Sequence, residues 1–277
     1  MEILRVKRTL QKALSSLDPR TFPNDVFGKA PQGNEASYRA LYLEAVSRSF
    51  PETEEFEKST GFAVNEDWIN DLALHTQVVH KKSKLNWQHG RILYSMLRSH
   101  VEAKKAVGDY VQVFETGTAR GFSAVCMAKA IVDSGRQGAI VTVDTLPHNR
   151  SMYWNCIDDV EGQKSRRELL APWATEVARV VFFQALTPQH LGRIGMDRID
   201  FAFLDAQHTF ESVMEEYRFV EARQAPGDLI VFDDVTPGVF DGVVAAVKAI
   251  RDKGLYEVQE IGRRTERGYA VARRLDQ

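Results

Sequence analysis

Carboxylates close four of five short apolar runs in the second half of the chain. The runs cover residues 111–115, 139–143, 179–183, 199–204 and 228–232, and the acids at their ends are Glu115, Asp144, Asp205, Asp233 and Asp234. A buried carboxylate costs several kcal/mol unless it is paired, hydrogen-bonded or metal-bound. Five acids at equivalent positions therefore indicate a site, although any single one could cap a helix or pair with a cation.

Three of these acids could hold a metal ion together. If the runs are neighbouring strands, Asp205, Asp233 and Asp234 converge at one edge of the sheet, and oxygen ligands favour Mg²⁺ or Ca²⁺. Adjacent strand residues point to opposite faces, so Asp233 and Asp234 share an ion only where the strand bends. The alternative for this pair is one metal ligand and one helix-capping acid.

His208 is the candidate proton acceptor, because it follows Asp205 by three residues at the turn into a predicted helix. An ordinary imidazole titrates near neutral pH and can take a proton from a hydroxyl group. The alternative is a histidine that hydrogen-bonds the loop or caps the helix. The other six histidines show no metal-ligand spacing, and we expect structural roles for them.

A glycine-containing turn lies between the first run and a helical pattern that begins near Phe122. Gly117 and Gly121 allow a tight turn and a close ligand, and the helix N-terminus after them favours an anionic group. A dinucleotide fingerprint would need glycines where Ala119 and Phe122 stand. Asp144, at the end of the second run, could accept hydrogen bonds from a ribose diol or cap the following segment.

The alternation of apolar runs with helical patterns predicts a doubly wound, mostly parallel, Rossmann-like α/β sheet. Two further strand candidates, 256–261 and 267–274, are close enough for a hairpin, which makes seven strands with an antiparallel end. Apolar stripes predict helices over residues 1–17, 35–49, 66–80 and 87–106. We divide the chain into a helical N-terminal extension, residues 1–84, and an α/β domain, residues 85–277. The extension serves packing, a lid or dimerisation.

The amino-acid composition limits the kinds of partner that we expect for this protein. Lys and Arg number 36 against 38 Asp and Glu, a net charge of −2 that gives no basic excess for nucleic acid. The two cysteines cannot build a disulfide framework, and no apolar stretch reaches the roughly 18 residues of a membrane span. The composition indicates a cytoplasmic protein without membrane or nucleic-acid partners.

The motifs taken in order resemble those of class I S-adenosylmethionine (SAM) methyltransferases, over residues from about 87 to the C-terminus. Glu115-x-Gly117-x-x-x-Gly121, Asp144, Phe203-Leu204-Asp205 and Phe232-Asp233-Asp234 together look like the catechol O-methyltransferase group. The sequence Asp205-Ala-Gln-His208 is closer to the bacterial sugar- and antibiotic-tailoring members. The resemblance implies SAM as cofactor and Mg²⁺ or another divalent cation such as Ca²⁺.

The resemblance also assigns roles to individual residues. The cofactor would contact a set drawn from three strand ends: Glu115, Gly117, Thr118, Gly121, Ser123, Asp144, Gln184 and Ala185. Asp205, Asp233 and Asp234 match the metal ligands, and His208 with Asp205 would be catalytic. His208 stands where the catechol enzymes carry a lysine, and Asp234 replaces their asparagine.

These observations predict a metal-assisted O-methyltransferase for a small hydroxylated molecule, such as a sugar-containing or phenolic metabolite, in a homo-oligomer. One alternative keeps the fold without the metal, as an N- or O-methyltransferase. Another is a catalytically idle SAM-fold module that binds a partner. The long segment 147–176, with Tyr153, Trp154 and Trp173, is either a substrate lid or a set of packing anchors.

Overall fold

The computed structural model describes residues 30–104, 110–187, 189–262 and 267–276. Its centre is a seven-stranded sheet in the order β3-β2-β1-β4-β5-β7-β6. The strands are β1 (Val111–Thr116), β2 (Gly138–Asp144), β3 (Val180–Gln184), β4 (Phe201–Leu204), β5 (Leu229–Phe232), β6 (Tyr256–Ile261) and β7 (Tyr269–Arg274). Strands β1 to β5 pair in parallel, and β7 is antiparallel to both neighbours. The predicted fold class is confirmed.

Helices cover both faces of the sheet. Those before the first strand are α1 (Glu35–Val46), α2 (Pro51–Thr60), α3 (Glu66–Thr76) and α4 (Gln88–Ala103). The others are α5 (Phe122–Ser134), α6 (Arg166–Leu169), α7 (Ala174–Val177), α8 (Phe210–Glu221) and α9 (Asp241–Asp252). Short 3₁₀ turns cover Ile157–Glu161, Ala171–Trp173 and Leu191–Arg193.

Two apolar cores lie on opposite faces of the sheet, because strands buried on both faces carry apolar side chains in both directions. Leu93 of α4 and Ile131 of α5 belong to one core, together with Phe201 of β4. Val213 of α8 and Val247 of α9 belong to the other. This arrangement leaves the carboxyl ends of the parallel strands at one common edge.

The helices that precede α4 share the first core. Tyr38 of α1 and Leu72 of α3 are fully buried within it, and Phe56 comes from α2, a helix that our sequence analysis did not predict. The boundary at residues 84 and 85 remains a prediction. The stripe over residues 1–17 lies outside the described residues.

The segment 147–176 is anchored through its tryptophans. Trp154 is fully buried and Trp173 is 4% exposed, and the Trp154 indole donates a hydrogen bond to the carbonyl of Lys164 at 2.7 Å. Among the two interpretations of these aromatic residues, the packing-anchor one describes Trp154 and Trp173. None of the helices in the described ranges has the length and apolar character that a membrane crossing requires.

Candidate active site

The glycine turn between β1 and α5 has no space for side chains at its two glycines. Gly117 has φ +87° and Gly121 φ +95°, a region that L-residues rarely adopt. A Cβ at Gly117 would lie 2.0 Å from the carbonyl oxygen of Asp205, and one at Gly121 would lie 2.6 Å from Leu170 Cδ1. The turn therefore brings bare backbone to the strand ends. Helix α5 starts directly after it, with no side chain capping its N-terminus.

Glu115 is fully buried at the end of β1, and this burial raises its pKa to about 7. One carboxyl oxygen, Oε2, accepts a hydrogen bond from the Thr142 hydroxyl, which also contacts the Thr118 hydroxyl. The other oxygen, Oε1, has no hydrogen-bond partner within the described ranges. A buried polar atom without a partner is costly, so a ligand donor at this position would satisfy it.

Asp144 at the end of β2 holds the glycine turn in place. Its Oδ2 accepts the backbone N–H of Ala119 at 2.6 Å, and its Oδ1 accepts that of Leu146 at 2.7 Å. Ala119 has φ +45°, so the carboxylate supports a strained residue. The predicted ribose contact of Asp144 is not tested by this geometry and stays a prediction.

The predicted adenine-side residues lie at the end of β3. The Gln184 side-chain amide donates to the carbonyl of Thr145 at 3.0 Å, and the Ala185 N–H donates to the carbonyl of Asp144 at 2.8 Å. Both residues are therefore next to the β2 end that carries Asp144. Ser123, in the first turn of α5, is buried. Their cofactor contacts stay predictions.

Asp205, His208 and Asp234 form one cluster, which we call the acidic cluster. One ligand atom from each lies within 4.8 Å of the other two. His208 Nε2 is 3.1 Å from Asp234 Oδ2 and 3.7 Å from Asp205 Oδ1. Hydrogen bonds to these two carboxylates raise the pKa of His208 to about 10. From the sequence alone we expect His208 to titrate near neutral pH. Because two carboxylates bind its imidazole ring, His208 instead keeps its proton at that pH.

Asp233 is not part of that cluster although it precedes Asp234. It is buried against Arg267, whose Nε lies 2.9 Å from Asp233 Oδ1 and whose Nη2 contacts Oδ2. Arg267 Nε also lies 3.0 Å from Asp234 Oδ1. Asp234 has φ +56°, so the chain does bend here, but only Asp234 joins Asp205 and His208 in the cluster. The metal-ligand role of Asp233 remains a prediction.

Comparisons with known proteins agree with this geometry. Residues 114–235 match the family model described as a methyltransferase domain, and the sheet order is that of the class I fold. Residues 114–235 therefore form a methyltransferase domain. Enzymes of this class take their methyl group from SAM, so the predicted enzyme class is confirmed. No curated protein matches the chain in sequence.

Several solved structures are similar to this methyltransferase. The O-methyltransferase TomG from Streptomyces achromogenes, in complex with SAM, has a TM-score of 0.53 at 17% identity and covers 78% of this chain and 92% of its own. The O-methyltransferase NovP has a TM-score of 0.52 at 16% identity, over 76% and 98%. The cofactor-bound Rv0187 from MTB has 0.50 at 19%, over 89% and 100%. At these identities the likeness shows the fold.

Sequence reasoning missed three charged residues of the methyltransferase site. Buried Arg166 donates from Nε to the carbonyl of Ala119 at 2.8 Å and so holds the glycine turn opposite Asp144. Buried Glu216 on α8 accepts from the Thr116 hydroxyl at 2.8 Å, and burial raises its pKa to about 7. Arg267 pairs with Asp233. These contacts join distant segments, and no local pattern announces them.

The acidic cluster fits a bound cation. In this geometry a protonated imidazole already lies between two carboxylates, which is the position where positive charge is most favourable. Burial raises the pKa of Asp205, so its charged form needs such a partner. The two carboxylates supply oxygen donors of the kind that Mg²⁺ and Ca²⁺ prefer.

Proposed function

We propose that this methyltransferase transfers the methyl group of SAM to a hydroxyl oxygen of a small molecule, with a divalent cation at the acidic cluster. The observation that carries the proposal is the convergence of Asp205, His208 and Asp234 beside the glycine turn. The backbone contact between Gly117 and Asp205 makes the two sites neighbours. Proximity of two bound reactants is the main requirement of a direct displacement.

The cofactor side of the site is built to bind and orient. The free N–H groups at the start of α5 would receive the cofactor carboxylate, and Oε1 of Glu115 would accept a donor from its amino group. Asp144 would accept hydrogen bonds from the ribose. SAM supplies an electrophilic methyl group on its sulfonium. The protein contributes position and charge to that transfer rather than covalent chemistry.

The acceptor side of the site would remove the proton of the hydroxyl group that is methylated. Asp205 and Asp234 would hold a divalent cation, Mg²⁺ or Ca²⁺, which supplies Lewis-acid stabilisation to an oxygen anion when bound. His208 is the proposed proton acceptor. It can accept only when its own proton has left, and its pKa falls once positive charge neutralises the two carboxylates beside it.

A metal-independent N- or O-methyltransferase is the second candidate, and one observation favours it. His208 and Arg267 already pair with all three carboxylates, Asp205, Asp233 and Asp234, and offset two of their three negative charges without any ion. In that case the acids would orient His208 and Arg267 rather than bind metal.

Methyl transfer from labelled SAM to a panel of hydroxylated compounds, with and without EDTA, separates the two. We expect EDTA and Asp205→Asn to abolish transfer and leave SAM binding unchanged, with Mg²⁺ restoring the EDTA-treated enzyme. Asp252→Asn, an exposed acid at the end of α9, is the matched control. Full turnover in EDTA would establish the metal-independent candidate.

The proposed setting is a homodimer in the cytoplasm. Support for the dimer comes from the apolar stripe of residues 1–17, which needs a partner surface, and from the Pro- and Gly-rich stretch after it, which gives it reach. The balanced charge and the small number of cysteines support the compartment.

A further inference from the structure

Asn155, in the segment 147–176, is a buried residue that the site described so far does not use. It is 1% exposed and has φ +53°, a left-handed conformation that a non-glycine residue keeps only when its surroundings impose it. The residue before it, Trp154, offers its backbone carbonyl to Nε of Arg120 at 2.6 Å. Arg120 belongs to the glycine turn and directly precedes Gly121. Asn155 is therefore one residue away from a contact that holds the turn.

The side chain of Asn155 joins two other segments to that contact. Its Oδ1 accepts the hydroxyl of Tyr38 on α1 at 3.2 Å and the N–H of His80, in the loop before α4, at 3.1 Å. Its Nδ2 donates to the His80 carbonyl at 2.9 Å. The amide thus uses both its acceptor and its donor. An ionised carboxylate would lack the donor, and an aliphatic side chain would lack both.

The backbone at this bend is fixed as well. Asp159 accepts the N–H of Trp154 on Oδ1 at 2.8 Å and that of Asn155 on Oδ2 at 2.7 Å. Burial lowers the pKa of Arg120 to about 10, so its guanidinium depends on nearby acceptors such as the Trp154 carbonyl. That carbonyl lies in the planar peptide unit between Trp154 and Asn155. The φ angle of Asn155 therefore sets the direction in which the carbonyl points.

We propose that Asn155 is a positioning residue for the cofactor. Its three side-chain hydrogen bonds hold the residue at φ +53°, and this conformation aims the Trp154 carbonyl at Arg120 of the glycine turn. Helix α1 and the loop before α4 support the turn through this one side chain. The inference rests on the proposed function, which places SAM at the turn. It gives the segment 147–176 a task beyond the packing of its tryptophans.

Calorimetry with S-adenosylhomocysteine (SAH), on the full chain in EDTA, tests the inference without methyl transfer. Asn155→Gly accepts the positive φ without strain but removes the three side-chain hydrogen bonds, so nothing in the side chain holds the bend. We expect SAH to bind about 3- to 10-fold more weakly, the factor that corresponds to the loss of one hydrogen bond at the turn.

Tyr38→Phe keeps the aromatic ring and removes one of the three hydrogen bonds. It should weaken SAH binding by a smaller factor than Asn155→Gly. In the double variant it should add nothing, because both residues act through the same contact. Tyr38→Phe is the milder change, and it decides by the same criterion if Asn155→Gly does not fold.

Tyr256→Phe is the matched control for a purely structural hydrogen bond. The Tyr256 hydroxyl donates to Gln224 at 2.8 Å, and its strand β6 is the edge strand three places from β4 in the sheet, whereas the glycine turn follows β1. This variant should lower the melting temperature and keep the wild-type affinity for SAH. A residue with only a structural role at position 155 would behave in the same way.

Wild-type SAH affinity in Asn155→Gly or in Tyr38→Phe would overturn the inference, and so would additive losses in the double variant. Failure of the proposed cofactor site shows itself differently, because Gly117→Ala would then also keep wild-type SAH affinity. Failure of the proposed metal-assisted transfer leaves these SAH titrations unchanged, since they are made in EDTA and without an acceptor.

Discussion

Replacement of Gly117 by alanine should damage the site more than any other single methyl group in the glycine turn. The residue has φ +87°, where an L-residue costs roughly 1–2 kcal/mol. The new Cβ would lie 2.0 Å from the Asp205 carbonyl oxygen, against ~3.3 Å for the closest ordinary carbon–oxygen contact. β1 and β4 must therefore separate by more than about 1 Å at this point.

That separation acts on hydrogen bonds that join three strand ends. The Gly117 N–H donates to Val143 at 2.9 Å, and the Asp205 N–H donates to Thr116 at 3.1 Å. Losing one such bond costs about 0.5–1.5 kcal/mol. Strain and the lost bond together predict a loss of about 1.5–3.5 kcal/mol in the free energy of unfolding. Because the turn moves with the strand, we expect SAH affinity to fall by at least about tenfold.

Gly135→Ala is the matched control. Gly135 has φ +68° at the end of α5, and no atom lies within 4 Å of its Cβ position. The Gly135→Ala variant should lose about 1 kcal/mol of stability, through backbone strain alone, and keep full SAH affinity. Urea unfolding at constant m-value and calorimetry with SAH measure both quantities. If the two variants lose the same stability and both bind SAH normally, the steric argument for the turn is refuted.

Three further predictions concern other parts of the chain. Asp144→Ala should weaken SAM binding by about 1–3 kcal/mol by calorimetry, because two hydrogen bonds to the ligand are lost; unchanged affinity would exclude the ribose role. The His75–Asp158 hydrogen bond, 2.6 Å long, raises the pKa of His75. Its stabilisation, at most about 1 kcal/mol, is full below pH ~6.5 and is lost as the pH rises through the folded pKa. The stability difference between wild type and His75→Asn should shrink accordingly in urea unfolding. A chain shortened to begin at Asn34 should be a monomer by light scattering, and an unchanged dimer mass would contradict an intersubunit role for residues 1–17.

The strands could be predicted because a strand at the centre of the sheet is also recognisable by its apolar composition. Residues buried on both faces must be apolar in an unbroken run, and the predicted run 228–232 differs from β5, Leu229–Phe232, by a single residue. The end of each run then locates the common edge of the sheet. This reasoning also predicted that Asp205, Asp233 and Asp234 converge; the structure brings Asp205 and Asp234 together with His208, and it pairs Asp233 with Arg267.

Helix α2 was missed although the sequence carried its signals. Pro51 stands at its first position, Glu52 and Glu54 follow in the first turn, and Gly61 ends it with φ +80°. Only Thr53, Phe56 and Glu57 are buried, so the apolar stripe is too weak to find by periodicity. Pro51 and Gly61 would have indicated where the helix begins and ends.

The side-chain pairings of the site could not be predicted from the sequence. Arg267 reaches Asp233 across 34 residues, and nothing near either residue marks the other. The contacts of His208 with Asp205 and Asp234 could not be predicted either. The pKa of an imidazole depends on which carboxylates the fold brings to it. From the sequence one can assume only the ordinary histidine pKa, whereas these contacts raise the pKa of His208 to about 10.

The pair Asp233-Asp234 shows how one bend serves both halves of the site. A buried carboxylate such as Asp233 is tolerated because Arg267 pairs with it through two nitrogens, and removal of either partner would cost about 3–5 kcal/mol. This anchor holds the following residue at φ +56°, a conformation that a non-glycine residue keeps only when its surroundings impose it. Asp234 Oδ2 thereby lies 3.1 Å from His208 Nε2, while its Oδ1 shares the Nε of Arg267 with Asp233. One strained residue thus joins the buried ion pair of Asp233 and Arg267 to the cluster that we propose for the cation.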